Sequence, residues 1–163
     1  MGGYIATSKD IAQFIRANCS GPLLHNSMSP VICQQILTAF HIIKGNDGTT
    51  IGSTKLQALR DNSNFFRNEM IRIGLHVYGE EDSPIIPVMM YFPAKIAAFS
   101  RECLSRGLAV VMVGFPATSV VLSRARFCMS AELTRQDLEF AVKVIDEVAT
   151  LLCLKYKNNS IGW

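Results

Sequence analysis

The sequence predicts an α+β fold: a small, mainly antiparallel sheet with helices on one face, preceded by linking helices. Three observations predict it. Apolar residues recur with a 3.6-residue period through the first 73 positions, short apolar runs bounded by Gly and Pro replace that period between positions 75 and 130, and a capped amphipathic helix closes the chain.

The elements follow in order. Ser8, with Lys9, Asp10 and an Ile11, Phe14, Ile15 stripe, reads as the start of a short helix ending near Asn18. From Pro30, the positions Val31, Ile32, Ile36, Leu37, Phe40 and Ile43 keep helical spacing up to Gly45, where Gly-Asn-Asp-Gly breaks it. Leu56, Leu59, Ser63, Phe66, Met70 and Ile73 mark a longer helix, with Ser53 or Thr54 as cap and Gly74 just past its end. Leu75 to Tyr78 and Ile85 to Phe92 suit strands. Pro93 opens a helix that stops near Gly107, Leu108 to Val113 is the next β-branched run, and Arg124 to Ser130 alternates as a strand with one wet face. The last helix, Thr134 to Tyr156, carries Thr134 and Asp137 in capping-box spacing. Residues 1–73 are set apart from residues 74–163, because their apolar helix faces need a surface other than the small sheet.

Composition bounds the function. A chain of 163 residues, 49% apolar and with net charge +3, is too apolar for a disordered segment and too weakly basic for a nucleic-acid arm. Its two most apolar stretches, Ile85 to Phe99 and Leu108 to Leu122, are cut by prolines, Lys95 and Gly114, short of the ~20 residues a membrane span needs. Five scattered cysteines, Cys19, Cys33, Cys103, Cys128 and Cys153, form neither a disulfide framework nor a zinc cluster, and Cys128 reads as a buried structural thiol. The amino end has no signal-peptide core.

Catalytic constellations are sparse. His25, His41 and His76 lack a carboxylate, Ser or Cys at triad spacing, and Glu80, Glu81 and Asp82 read as a solvated turn without further oxygen ligands, so no metal site is expected. Arg124 and Arg126 alternate within a strand. They offer two rigid guanidinium forks toward one place, suited to carboxylate or phosphate, or they are simply the wet face of an edge strand. Gly114-Phe-Pro-Ala-Thr-Ser119 is an inter-strand loop that lines a site or turns the chain. His25 to Pro30 sets small donors before a helix start, where an anion is favoured, although Ser29 also serves as a plain N-cap.

Together these segments resemble one family, the α-oxoamine synthases among the fold-type I pyridoxal-phosphate enzymes, and within it the catalytic long-chain-base branch of serine palmitoyltransferase. The resemblance rests on Gly2-Gly-Tyr-Ile5, Ser27-Met-Ser-Pro30, Asp82-Ser-Pro-Ile-Ile-Pro87, Pro93-Ala-Lys-Ile96, Val113-Gly-Phe-Pro-Ala-Thr118, Ser123-Arg-Ala-Arg-Phe-Cys128, Ile145-Asp-Glu-Val148 and Leu154-Lys-Tyr156. It implies the small carboxyl-terminal domain of a fold-type I transferase, with the end of a large domain and linking helices before it. It also implies pyridoxal phosphate as cofactor and condensation of L-serine with a long-chain acyl-CoA to 3-ketosphinganine. A second long-chain-base subunit is implied as partner, at the cytosolic face of the endoplasmic reticulum, with membrane association through other parts or partners and no nucleic acid. By the same resemblance Arg126 binds the amino-acid carboxylate, His25, Asn26 and Ser27 reach the cofactor phosphate of a neighbouring subunit, and Pro116, Ala117 and Thr118 form a loop near the substrate. The family's cofactor lysine precedes the Gly-Gly-Tyr motif, so it is expected to fall before Met1, leaving this chain alone catalytically incomplete. Two positions depart from the family pattern: Ser119 stands where it has Pro, and Leu133 where it has His. Two other readings stay open. One is a non-catalytic or regulatory dimerisation partner, the other an aminoketone synthase using a different acyl-CoA.

Overall fold

The computed structural model describes residues 4–24 and 26–156, with the side chains of Pro22 and Leu23 left aside. Its elements are α1 (Lys9–Asn18), α2 (Ser20–Leu24), α3 (Pro30–Ile43), α4 (Ile51–Arg72), β1 (Ile85–Tyr91), α5 (Pro93–Ser105), β2 (Val111–Val113), a 3₁₀ turn (Val120–Leu122), β3 (Ser123–Cys128) and α6 (Arg135–Leu151). Contacts divide the chain into two compact units, Met1–Ser53 and Thr54–Trp163.

The first unit is helical. Ser8 precedes α1 without a side-chain cap, whereas the Ser29 hydroxyl caps α3 by accepting the Ile32 N–H at 3.4 Å. Tyr4 meets Phe40 edge-on, with ring centroids 6.2 Å apart. Gly52 is fixed by packing, because a Cβ there would stand 2.2 Å from the Ile42 carbonyl oxygen. No residue of α1 or α3 is fully buried.

The second unit holds the core. Its sheet has the order β1-β3-β2, antiparallel throughout, and β3 is central. Alternation along β3 sends Ser123, Ala125 and Phe127 inward and Arg124, Arg126 and Cys128 to the opposite face. The inward face packs on α4, α5 and α6 through Phe66, Met70, Phe99, Cys103, Leu138, Ile145 and Val148. The Phe66 and Phe127 rings lie 5.1 Å apart, so α4 docks on the sheet, although the sequence grouped it with the leading helices. Helices therefore cover one face, as expected, and the other face is open.

Several boundaries differ from the sequence reading. Leu75 to Tyr78 is no full strand. It adds a single bridge, Val77 to Val88, and flanking bonds from the Tyr78 N–H to the Pro87 carbonyl and from the Met89 N–H to the His76 carbonyl, each 2.9 Å. The long helix starts at Ile51, ahead of Ser53 and Thr54, because the Thr49 hydroxyl accepts the Ile51 N–H at 3.4 Å and Asp47 in turn accepts from Thr49. α6 ends at Leu151, before Tyr156, whose N–H returns to the Gly74 carbonyl at 3.0 Å. Cys128 is exposed rather than buried, since strand alternation places it with the arginines. Among the described residues no helix is long and apolar enough to cross a membrane, and no three His, Cys, Asp or Glu side chains gather to hold a metal.

Candidate functional site

The open sheet face carries the arginine pair. Register aligns Pro87, Arg126 and Val111 in one row across the strands, and Met89, Arg124 and Val113 in the next. Because paired residues share a face, both guanidiniums stand on the side away from the helices, Arg126 exposed and Arg124 half-buried. They belong to the central strand. The alternative of a wet edge strand therefore fails, and each arginine has apolar neighbours on both sides instead of a cross-strand acid. Among the described residues neither guanidinium has a hydrogen bond or an ion pair.

The loop after β2 leaves the sheet at the Arg124 row, since Val113 pairs with Arg124. Gly114 opens it under constraint: a Cβ would stand 3.1 Å from the Ile96 Cδ1. The Thr118 N–H closes the turn on the Gly114 carbonyl at 3.2 Å, and the Ser123 hydroxyl donates to the Val120 carbonyl at 2.8 Å. Phe115–Pro116 is a cis peptide. Pro116 and Ala117 are exposed, while the Thr118 hydroxyl oxygen is enclosed without a hydrogen-bond partner. Structure thus places Arg126 and the loop residues Pro116, Ala117 and Thr118 in one unit. Asn26 and Ser27 lie in the other unit, exposed, before α3, and His25 falls outside the described residues. Pro30 has no N–H and the Ile32 N–H is taken by Ser29, so the first turn of α3 leaves the Val31 N–H to offer.

Two features had no sequence signal. Arg67, 5% exposed, donates from its guanidinium to the carbonyls of Tyr78 (3.0 Å), Gly79 (3.2 Å) and Ile85 (3.5 Å), tying α4 to the turn before β1. Beside it Arg60 and Asn64 grip Asp82, and the Arg60 hydrogen bond is the first cause that holds the Asp82 carboxyl below its ordinary range. These contacts make the acidic turn an anchored structural element. The second feature is the hydrogen bond between the Tyr91 hydroxyl and the His76 Nδ1, with His76 stacked on Tyr78 and Tyr91 edge-on to Tyr156. Burial raises the Tyr91 phenol above its usual value, so it stays neutral. Tyr91 also holds a left-handed backbone at φ 60° beside a register shift in the β1–β3 pairing.

No family model matches the chain. It is 50% identical over 155 residues to long chain base biosynthesis protein 2a of Oryza sativa subsp. japonica, covering 95% of this chain and 32% of that protein. It is 46% identical over 156 residues to serine palmitoyltransferase 2 of Dictyostelium discoideum, covering 96% and 32%. A high-resolution structure of SPT with PLP superposes with TM-score 0.69 at 20% identity, over 90% of this chain and 35% of that one, which concerns the fold alone. The chain spans about a third of the length of the curated relatives it matches. Over 95% of its own length, then, the chain is similar to the carboxyl-terminal third of long chain base biosynthesis protein 2 and serine palmitoyltransferase proteins, and its fold matches part of the solved SPT structures.

Proposed function

We propose that this chain supplies the substrate-carboxylate side of a pyridoxal-phosphate-dependent acyltransferase of the serine palmitoyltransferase type, which joins L-serine to a long-chain acyl-CoA and releases carbon dioxide and coenzyme A. One observation carries the reading. Arg126, at the position of the family's carboxylate-binding arginine, stands unpaired on the open face of the central strand. A planar two-donor fork held on a sheet fits a carboxylate in a fixed plane and orients the group that must leave. The donor set fits an anionic cofactor adduct and no metal.

Residues 1–73 are assigned as the end of a large domain with linking helices and residues 74–163 as the small domain, α4 being the link that docks on the sheet. Pro116, Ala117 and Thr118 close over the substrate, and the loop donates the enclosed Thr118 hydroxyl. His25, Asn26 and Ser27 reach the cofactor phosphate of a neighbouring subunit. Pyridoxal phosphate, when bound, supplies the electron sink for the carbanion at the amino-acid Cα. Lys55 and Lys155 are held in ion pairs and Lys95 donates to the Cys153 carbonyl, so none of these three is assigned to bond it. The partner is a second long-chain-base subunit, and the place of action is the cytosolic face of the endoplasmic reticulum.

A chimera tests this. Residues 4–156 replace the matching third of the Oryza relative, and serine-dependent product formation is measured. We expect activity, and Arg126→Gln should raise the serine KM about 10–100-fold, the value of one charged two-donor contact, with the acyl-CoA KM unchanged. A folded, cofactor-loaded chimera without activity, or equal effects on both substrates, overturns the reading.

A further inference from the structure

Arg126 does not stand alone on the open face. In the same unit Arg60, Arg67, Arg72, Arg106 and Arg135 all have carboxylate or carbonyl partners, and Arg101 points from α5 into solvent. Arg124 and Arg126 have none among the described residues, although they sit two residues apart on one face, about 7 Å between Cα atoms at strand rise. Like charges so placed repel, and a sheet ordinarily relieves them with a cross-strand acid. Here the cross-strand positions are Pro87 and Val111 beside Arg126, and Met89 and Val113 beside Arg124. Met89 is 1% exposed, so the floor between the strands is apolar and the dielectric over it is reduced. A local rule is broken without an internal remedy, and an external anion supplies it.

Position adds direction. Val113 pairs with Arg124 and Gly114 begins the loop, so Arg124 lies between Arg126 and the loop that closes the site. A ligand extending from Arg126 toward Thr118 passes over Arg124.

We propose that Arg124 is a second anion-binding fork, and that Arg124 and Arg126 make a two-point site for a small ligand carrying two acid groups joined by a short apolar link. This rests on the reading of Arg126 as a carboxylate binder and goes beyond it. One fork takes the first acid group, the second takes the other, and the link lies beside the partly exposed Val113, with Met89 buried beneath. Arg124 thereby sets specificity: it favours dianions over simple monocarboxylates at the same face.

The test uses the 163-residue chain and two probes, acetate and glutarate, titrated at constant ionic strength while the arginine Nε–H signals are followed by NMR. A single fork gives glutarate about a twofold statistical advantage; two forks give more, because the second contact is intramolecular. We expect glutarate to bind at least tenfold tighter than acetate, with both the Arg124 and Arg126 signals shifting along one isotherm. Arg124→Gln should return the ratio to about two while Arg126 still responds to acetate. Arg124→Lys, which keeps the charge and loses the fork, should fall between. Both variants are surface changes, and an unaltered amide spectrum confirms the fold. A wild-type ratio near two with Arg126 responding overturns the two-point site and leaves the carboxylate reading standing. Silence of Arg126 toward both probes overturns both.

Discussion

Arg67 shows how one side chain can hold a turn. Its guanidinium lies almost wholly inside the protein and answers to three carbonyl oxygens, two from the segment joining α4 to β1 and one from Ile85 at the start of β1. Its Nε is enclosed without a partner. Replacement by Met removes the donors and leaves the Tyr78 and Gly79 carbonyls unsatisfied, at a cost of about 2–3 kcal/mol. Urea unfolding should show that loss, and Arg67→Lys should recover little, because an ammonium cannot fork between separate carbonyls. An unchanged midpoint in Arg67→Met would refute the clamp. Nothing in the sequence marked Arg67, which sits beside the apolar stripe of α4 like any solvent-facing cation. Arg126 was legible because two-residue alternation shows in the order Ser-Arg-Ala-Arg-Phe-Cys, whereas Cys128 was misplaced by its apolar neighbours, against that alternation. The buried thiol is Cys103, whose pKa burial pushes up to about 11. A thiol reagent at neutral pH should therefore label Cys19, Cys128 and Cys153 well before Cys103 in the folded chain, as peptide mass mapping would report.

At the scale of the element, α6 is the best-specified piece. The Thr134 hydroxyl accepts the Asp137 N–H at 3.2 Å, and the Asp137 carboxylate accepts the Thr134 N–H at 3.0 Å. The Thr134 side-chain hydrogen bond is the first cause holding the Asp137 carboxyl below its ordinary range. A depressed folded value means stability that is present above the unfolded carboxylate pKa, near 4, and lost as pH falls through the folded value. Thr134→Ala should cost about 1 kcal/mol at neutral pH, with the difference from wild type shrinking as acid protonates Asp137. A pH-independent difference would count against the reciprocal cap. Long periodic elements such as α3, α4 and α6 were readable because each repeats its signal over several turns. The five-residue α2 and the 3₁₀ turn at Val120–Leu122 have too few residues to show a period, and Leu75 to Tyr78 kept its strand-like composition while pairing through one bridge.

Across the whole molecule, burial is divided unequally between the two units. Every side chain of the core cluster lies at Phe66 or beyond, while α1 and α3 bury no residue fully and leave Ile11, Phe14, Val31, Leu37 and Ile43 exposed. Apolar burial at roughly 25 cal/mol per Å² is the main stabilising contribution, and isolated helices of 10 and 14 residues are marginal in water. The second unit should therefore unfold as one cooperative body, and the helices of the first should open well below the global transition. Native-state hydrogen exchange gives the check. Amides in α6, β1 and β3 should exchange only through global unfolding, with one shared denaturant dependence. Those in α1 and α3 should exchange at least a hundredfold faster, with little such dependence. The urea slope should match roughly 100 residues of buried chain rather than 163. Equal protection of α3 and α6 would mean that the exposed apolar stripes are covered in solution by another chain. Dilution separates that case from intrinsic stability, because protection borrowed from a partner fades as protein concentration falls.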